Sequence, residues 1–381
     1  MHDEPSRNAT LDFAIGLAGL WLAAGFLWDS WAHLHVGVES FFTPYHAVFY
    51  SAMVFAACAF GIEARRNTRR GFHFPHLWPA AYQRALLGVP LFFLGGLGDF
   101  FWHTFFGVEN RIEAVTSPTH LIIGFAVALV LSGPVRSALA DRGTLLTLRS
   151  QLAVIFSLAA ILEFAHLGMS YAFDPSAARM DAPPSEVANS PYYLLDVALV
   201  LYKTGTGVMI VILTSLVGMA FALYLASRFR LAPGAMTLFF VLGDSMMAAA
   251  LTNDRPLLAI HFVKALVAGI VADTILARGR TRGAPPAGAD TKVLRRFGIF
   301  VPAAYYGTFF TLTIGFEGTW WNWNLVLGTL VWSILAGYGL TFLVGDSSPF
   351  APRRAVATEL SAEPVDAVVS RVPEVTASSR A

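Results

Sequence analysis

Cysteine is almost missing: the 381 residues contain one, Cys58, in an apolar run. That excludes an intrachain disulfide and any thiolate metal site. Charge is scarce as well, at 13% Asp, Glu, Lys and Arg against about 25% in soluble domains. No basic segment with a small-residue cleavage site opens the chain, so the first apolar run reads as a retained span rather than a removed signal. Gly-x-Gly-x-x-Gly, Walker and nucleophile-elbow motifs are absent, and a net charge of +1 gives no electrostatic footprint for nucleic acid.

What is present in quantity is apolar sequence. Hydrophobic residues make up 56% of the chain, and the mean hydropathy is +0.59. They fall in long runs separated by short polar segments, which predicts an all-α, polytopic transmembrane helix bundle embedded in a lipid bilayer. Crossing ~30 Å of hydrocarbon takes roughly 20 residues per helix. The runs predict about ten spans, at 11–35, 44–62, 84–106, 117–139, 150–171, 193–227, 231–252, 256–277, 296–317 and 321–345. Residues 1–10 form a polar N-terminal tail, 11–345 the transmembrane domain, and 346–381 a disordered tail without apolar periodicity.

The loops alternate sharply in basic content. Those at 63–84, 136–149, 228–230, 278–296 and 353–354 carry eighteen Lys and Arg, whereas the opposite set carries Arg111, Arg179 and Arg255. The positive-inside rule then puts both termini in the cytoplasm of an inner (plasma) membrane protein. On that topology His33, His35, His46, His103, His120, His166 and His261 all fall toward the outer face, as do Asp29, Asp99, Glu163 and Asp244.

Two stretches within that outer layer echo each other. Asp29, His33, Gly37, Val38 and Glu39 recur at an offset of 70 as Asp99, His103, Gly107, Val108 and Glu109. The pairs Pro44/His46 and Pro118/His120 recur at 74, so residues 11–62 and 84–139 read as repeated α-hairpins. Asp29/His33 and Asp99/His103 are spaced i, i+4 and stack on one helix face. Thr43-Pro44 and Ser117-Pro118 are helix starts, each a hydroxyl N-cap followed by a proline in the first turn. His46 and His120 thus sit in the first turn of the returning helix, and each hairpin converges two imidazoles and a carboxylate.

Sixteen apolar or small residues separate Asp12 from Asp29, and fourteen separate Arg84 from Asp99. At 1.5 Å per residue these runs are about 24 and about 21 Å, short of the hydrocarbon thickness, so each Asp lies inside it and needs a partner. A bound metal is one remedy, and an Asp–His hydrogen-bonded pair tying two helices together is the other. Imidazole plus carboxylate without thiolate suits copper, zinc or iron. One dinuclear centre and two mononuclear sites are both compatible with the spacing.

Asp29-x3-His33-x12-His46, within Thr43-Pro44-Tyr45-His46-Ala47-Val48-Phe49-Tyr50, resembles the copper-binding stretch in the C subunit of particulate methane and ammonia monooxygenases. The resemblance implies that Asp29, His33 and His46 ligate copper. By the repeat, Asp99, His103 and His120 do the same, although their spacing is x3 and x16. It is confined to residues 29–50; Asn253 and His261 do not reproduce the spacing of that family's Asn/His/His site.

Other polar groups are candidates for outer partners that hydrogen-bond a metal ligand: Glu39, Glu109, Glu163, His166 and His261. Asp244 with Lys264, and Asp196 with Lys203, read as intramembrane ion pairs. The functional expectation is a membrane oxidoreductase, monooxygenase-like, taking oxygen and a small apolar or membrane-dissolved substrate, alone, as a homo-oligomer or with partner subunits. The competing expectation is a metal transporter or metal-handling protein without redox turnover, in which Lys264, Lys203 and Asp273 mark a path inward.

Overall fold

The computed structural model describes residues 5–36, 40–107, 116–140, 146–172, 193–251, 255–279, 288–316, 318–319 and 321–345. Among them there is no strand. Ten α-helices follow one another: α1 (Ala9–His35), α2 (Pro44–Thr68), α3 (Gln83–Phe106), α4 (Pro118–Ala140), α5 (Leu148–Ala172), α6 (Tyr193–Arg228), α7 (Ala235–Leu251), α8 (Arg255–Arg278), α9 (Thr291–Phe316) and α10 (Trp323–Gly345). A short 3-10 turn at Ala80–Tyr82 leads into α3. Nine of these helices are long and apolar enough to cross a membrane. The chain is a polytopic helical bundle.

The tenth, α7, has 17 residues, shorter than the span expected at 231–252. Its start is delayed because Pro233 lacks an N–H and Gly234 turns the backbone at φ +84°. At the other extreme, α2 runs six residues past the predicted end at 62. It does so because Glu63 and Asn67 face inward rather than to water: Asn67 donates to Glu63 at 3.0 Å, and Asn8 donates to Glu63 at 2.6 Å. Asp12 completes this buried polar layer, accepting from Tyr82 at 2.6 Å and Arg7 at 2.9 Å.

Helices α1–α4 share one core, centred on Leu22, Met53, Phe92 and Leu131. Helices α5–α9 build a second, larger core around Ile155, Leu223, Phe239 and Phe297. The cores meet where α1 packs on α5 and Phe26 lies 4.9 Å from Phe164, centroid to centroid. Small residues allow that approach. A Cβ on Gly16 would lie 2.8 Å from the Ala153 carbonyl oxygen, and one on Gly88 would lie 2.5 Å from that of Ala126. These contacts set α1 against α5 and α3 against α4, and so fix how the two hairpins present their ends.

Candidate metal centres

Each hairpin brings its Asp and two His together at the point where one helix ends and the next begins. Asp29 and His33 lie one turn apart near the end of α1. Thr43 caps α2, its hydroxyl accepting from the His46 N–H at 3.1 Å, with Pro44 in the first helical position. That cap turns His46 back toward α1. His33 Nε2 and His46 Nε2 lie 3.5 and 3.4 Å from the same oxygen, Asp29 Oδ2.

The second hairpin repeats the construction with a difference. Helix α3 ends at Gly107, whose φ of +83° with ψ of 174° is an extended conformation that glycine adopts without strain. His103 Nε2 is 3.4 Å from Asp99 Oδ2, and His120 Nε2 is 3.3 Å from Asp99 Oδ1. Both carboxylate oxygens are engaged here, and Thr119 donates a further bond to Oδ1 at 2.8 Å. The first hairpin has Tyr45 in the place of Thr119, and that ring packs edge-on against Trp28 instead. Asp29 Oδ1 and His33 Nδ1 have no hydrogen-bond partner among the described residues.

The outer ring nitrogens decide what lies between imidazole and carboxylate. His46 Nδ1 is 2.5 Å from the Phe41 carbonyl oxygen, and His103 Nδ1 is 3.2 Å from that of Gly107. A carbonyl only accepts, so in both rings Nδ1 carries the proton and donates it. Nε2 then faces an anionic oxygen, where a bare lone pair repels unless a proton or a metal ion sits between. His120 Nδ1 is paired with the Ser117 hydroxyl at 2.8 Å, a contact in which either partner can donate, and its Nε2 faces Asp99. This is the pattern of metal-ligating histidines, whose second nitrogen is held by an oxygen.

A shared proton or a metal ion can be that cation. Charge-assisted N–H···O bonds run about 2.7–2.9 Å. All four Nε2–carboxylate distances are 3.3–3.5 Å. Metal–ligand bonds of about 2.0–2.1 Å in a tetrahedron put neighbouring ligand atoms about 3.3–3.4 Å apart. Asp29, His33 and His46 have one ligand atom each within 4.8 Å of one another, as do Asp99, His103 and His120. The residues therefore fit a metal ion in each hairpin.

The two sets close on themselves but are not remote. Phe41 holds His46 through its carbonyl, and its ring lies 5.0 Å from the His46 ring and 6.4 Å from the His103 ring. Tyr50, one turn after His46, also packs on that ring at 6.4 Å, and a Cβ on Gly96 of α3 would collide with its hydroxyl. Phe41 and Tyr50 thus join the two sets through one aromatic layer. Phe41 was not identifiable in the sequence, because it has no counterpart at the repeat offset; Tyr50 ends the stretch that carries the resemblance, but its counterpart at the offset of 74 is Gly124.

The remaining candidates divide. Glu39 and Glu109 lie outside the described residues. His261 meets Asp244 at 3.6 Å and His166 lines a cavity beside the same Asp244, so both are placed with the second core. Glu163, buried on α5 one turn before His166, acts electrostatically on Tyr305 of that core. Asp244 pairs with Lys264 at 3.4 Å. The side chains of Asp196 and Lys203 are outside the described part. Asp273 caps the start of α7, accepting from the Met236 and Thr237 N–H groups at 3.2 and 3.0 Å and from the Thr237 hydroxyl at 2.7 Å. Between Lys264 and Asp273, helix α8 carries only Ala, Leu, Val, Gly and Ile, so that face offers no polar steps inward.

Comparison with protein families, with curated proteins and with solved structures gave no match.

Proposed function

We propose that this integral membrane protein binds copper in both hairpins and oxidises a small apolar or membrane-dissolved substrate. The observation that supports it best is the fixed Nδ1–H of His46 and His103. Each has its Nε2 3.4 Å from a carboxylate oxygen, a separation that two ligands of one tetrahedral ion also have. Asp29, His33 and His46 hold one ion, and Asp99, His103 and His120 hold the other. Copper follows from the imidazole and carboxylate donor set and from the resemblance of residues 29–50 to the monooxygenase subunit; zinc and iron share the donor chemistry.

A bound copper supplies a redox-active Lewis acid with coordination positions left open by three protein ligands. The chain's residues do the rest. The carbonyls of Phe41 and Gly107 fix two imidazole rings, and Thr119 holds Asp99 in place. Trp28 and Trp31, with Ala24, Leu27, Met246 and Ala249, line an apolar cavity of about 380 Å³ on the helix that carries Asp29. That open apolar depression accepts a molecule from the lipid phase. The eighteen-to-three distribution of basic residues supports both termini in the cytoplasm and both metal sites toward the outer leaflet. Electrons come from a reductant or partner subunit.

The reading is tested with copper-loaded protein in lipid nanodiscs, supplied with a reductant and a short alkane or simple arene. Oxygen consumption that depends on the apolar substrate, with hydroxylated product, is the expected result. It disappears in His33→Ala/His46→Ala. Copper bound at full stoichiometry with no substrate-dependent oxygen consumption would refute turnover and leave a metal-holding protein.

A further inference from the structure

The end of α2 remote from His46 carries an arginine cluster that the metal sites do not use. Arg65, Arg66, Arg69 and Arg70 are all exposed, and with Ile62 they line an open depression of about 630 Å³. Arg65 and Arg69 are spaced i, i+4, as are Arg66 and Arg70, so like charges face each other on successive turns and repel. The protein does little to answer them. Glu63, the one acidic residue of α2, is buried and turned inward, accepting from Asn8 at 2.6 Å and Asn67 at 3.0 Å. Arg66 comes to 3.8 Å from it. Among the described residues, no carboxylate lies within ion-pair distance of Arg65, Arg69 or Arg70.

The cluster sits at the depth of a bilayer surface. From Pro44 to Arg65 helix α2 rises about 32 Å at 1.5 Å per residue, which matches the ~30 Å of hydrocarbon. Trp78 marks the same level, because its indole N–H donates to the Phe60 carbonyl at 2.9 Å, little more than one turn before Arg65. Tryptophan collects at headgroup depth.

On the bilayer side of the arginines the same helix face is apolar and uncovered. Val54 (48% exposed), Cys58 and Ile62 (69% exposed) follow one another at i, i+4, and Arg66 and Arg70 continue the row. One face therefore passes from hydrocarbon to cation in the order in which a phospholipid passes from acyl chain to phosphate.

We propose that this face of α2 binds an anionic phospholipid of the adjacent leaflet. Its acyl chain lies along Val54, Cys58 and Ile62, and its phosphates lie among the four arginines. Guanidinium forks pair with phosphate oxygens bidentately, and basic clusters beside a span recognise anionic headgroups. With Arg66 shared with Glu63, the guanidiniums of Arg65, Arg69 and Arg70 remain, which favours a lipid bearing two phosphodiesters. The apolar row selects a lipid over a soluble phosphate, which would leave Ile62 and Val54 uncovered. The site goes beyond the metal reading and does not depend on it.

Native mass spectrometry of the detergent-solubilised full chain, titrated with cardiolipin or phosphatidylcholine, tests this directly. The wild type retains one cardiolipin in preference to phosphatidylcholine, and millimolar inorganic phosphate does not displace it. Arg65→Gln/Arg69→Gln weakens cardiolipin binding roughly 25-fold, about fivefold for each guanidinium removed. Arg228→Gln/Arg230→Gln takes the same charge from the exposed end of α6 and leaves binding unchanged. Unchanged helical circular dichroism and elution volume show that the variants are folded. Equal retention of the two lipids, or equal weakening by the two pairs of substitutions, would overturn the proposal. Displacement by inorganic phosphate would overturn it too, by making the ligand a free anion.

Discussion

At the scale of single residues, the two ligand sets differ in one hydroxyl. Thr119 donates to Asp99 Oδ1, whereas Tyr45 in the matching place turns to Trp28. A ligand carboxylate held by an outer hydrogen bond binds metal more tightly, and losing such a partner costs about 10–100-fold in affinity. Thr119→Val therefore weakens the second site by that factor and leaves the first unchanged, as isothermal titration with copper in competition with a chelator would show. Equal weakening of both sites would mean that the two sets are one.

The convergence of the six candidate ligands was legible in the sequence because i, i+4 spacing and a Thr-Pro or Ser-Pro helix start each fix geometry locally. Phe41 was not legible, since its carbonyl reaches His46 only through the particular path of the loop. Nor was the Asp12–Tyr82 bond, which joins residues seventy positions apart.

At the scale of helices, the hairpins depend on close backbone approach. A Cβ on Gly88 would meet the Ala126 carbonyl oxygen at 2.5 Å, where neither backbone can yield by a rotamer change. A Cβ on Gly124 of α4 meets nothing within 4 Å. Overpacking of this kind costs about 1–3 kcal/mol. Gly88→Val accordingly lowers the unfolding temperature in detergent by several degrees, whereas Gly124→Val changes it little. Comparable loss in both would show that helix propensity, not the α3–α4 contact, governs the effect.

The helices themselves were readable from apolar runs, because hydrocarbon demands length and continuity. Their ends were readable only where local chemistry sets them. Thr43-Pro44 starts α2 where expected, yet α2 outruns its apolar stretch because Glu63 and Asn67 find buried partners. Helix α7 is curtailed by Pro233-Gly234 within a run that hydropathy alone treats as continuous.

At the scale of the whole molecule, chemistry is divided between two cores. Helices α1–α4 carry two Asp–His–His sets joined by Phe41 and Tyr50, and α5–α9 carry Asp244, Lys264 and the water-sized cavity. Sequence spacing disclosed the first because it is written twice. The second is assembled from five helices, and of it the sequence disclosed only the Asp244–Lys264 pair. His166 and His261, candidates for partners of the metal ligands, stand beside Asp244 for that reason.

The central claim is that each hairpin holds its own metal ion. Elemental analysis of copper-reconstituted protein, after removal of loosely bound metal, measures this most directly. The account predicts two ions per chain, one in Asp29→Ala/His33→Ala, one in Asp99→Ala/His103→Ala, and none when all four are replaced. No retained metal in the folded wild type, or a content that these substitutions do not change, would contradict it.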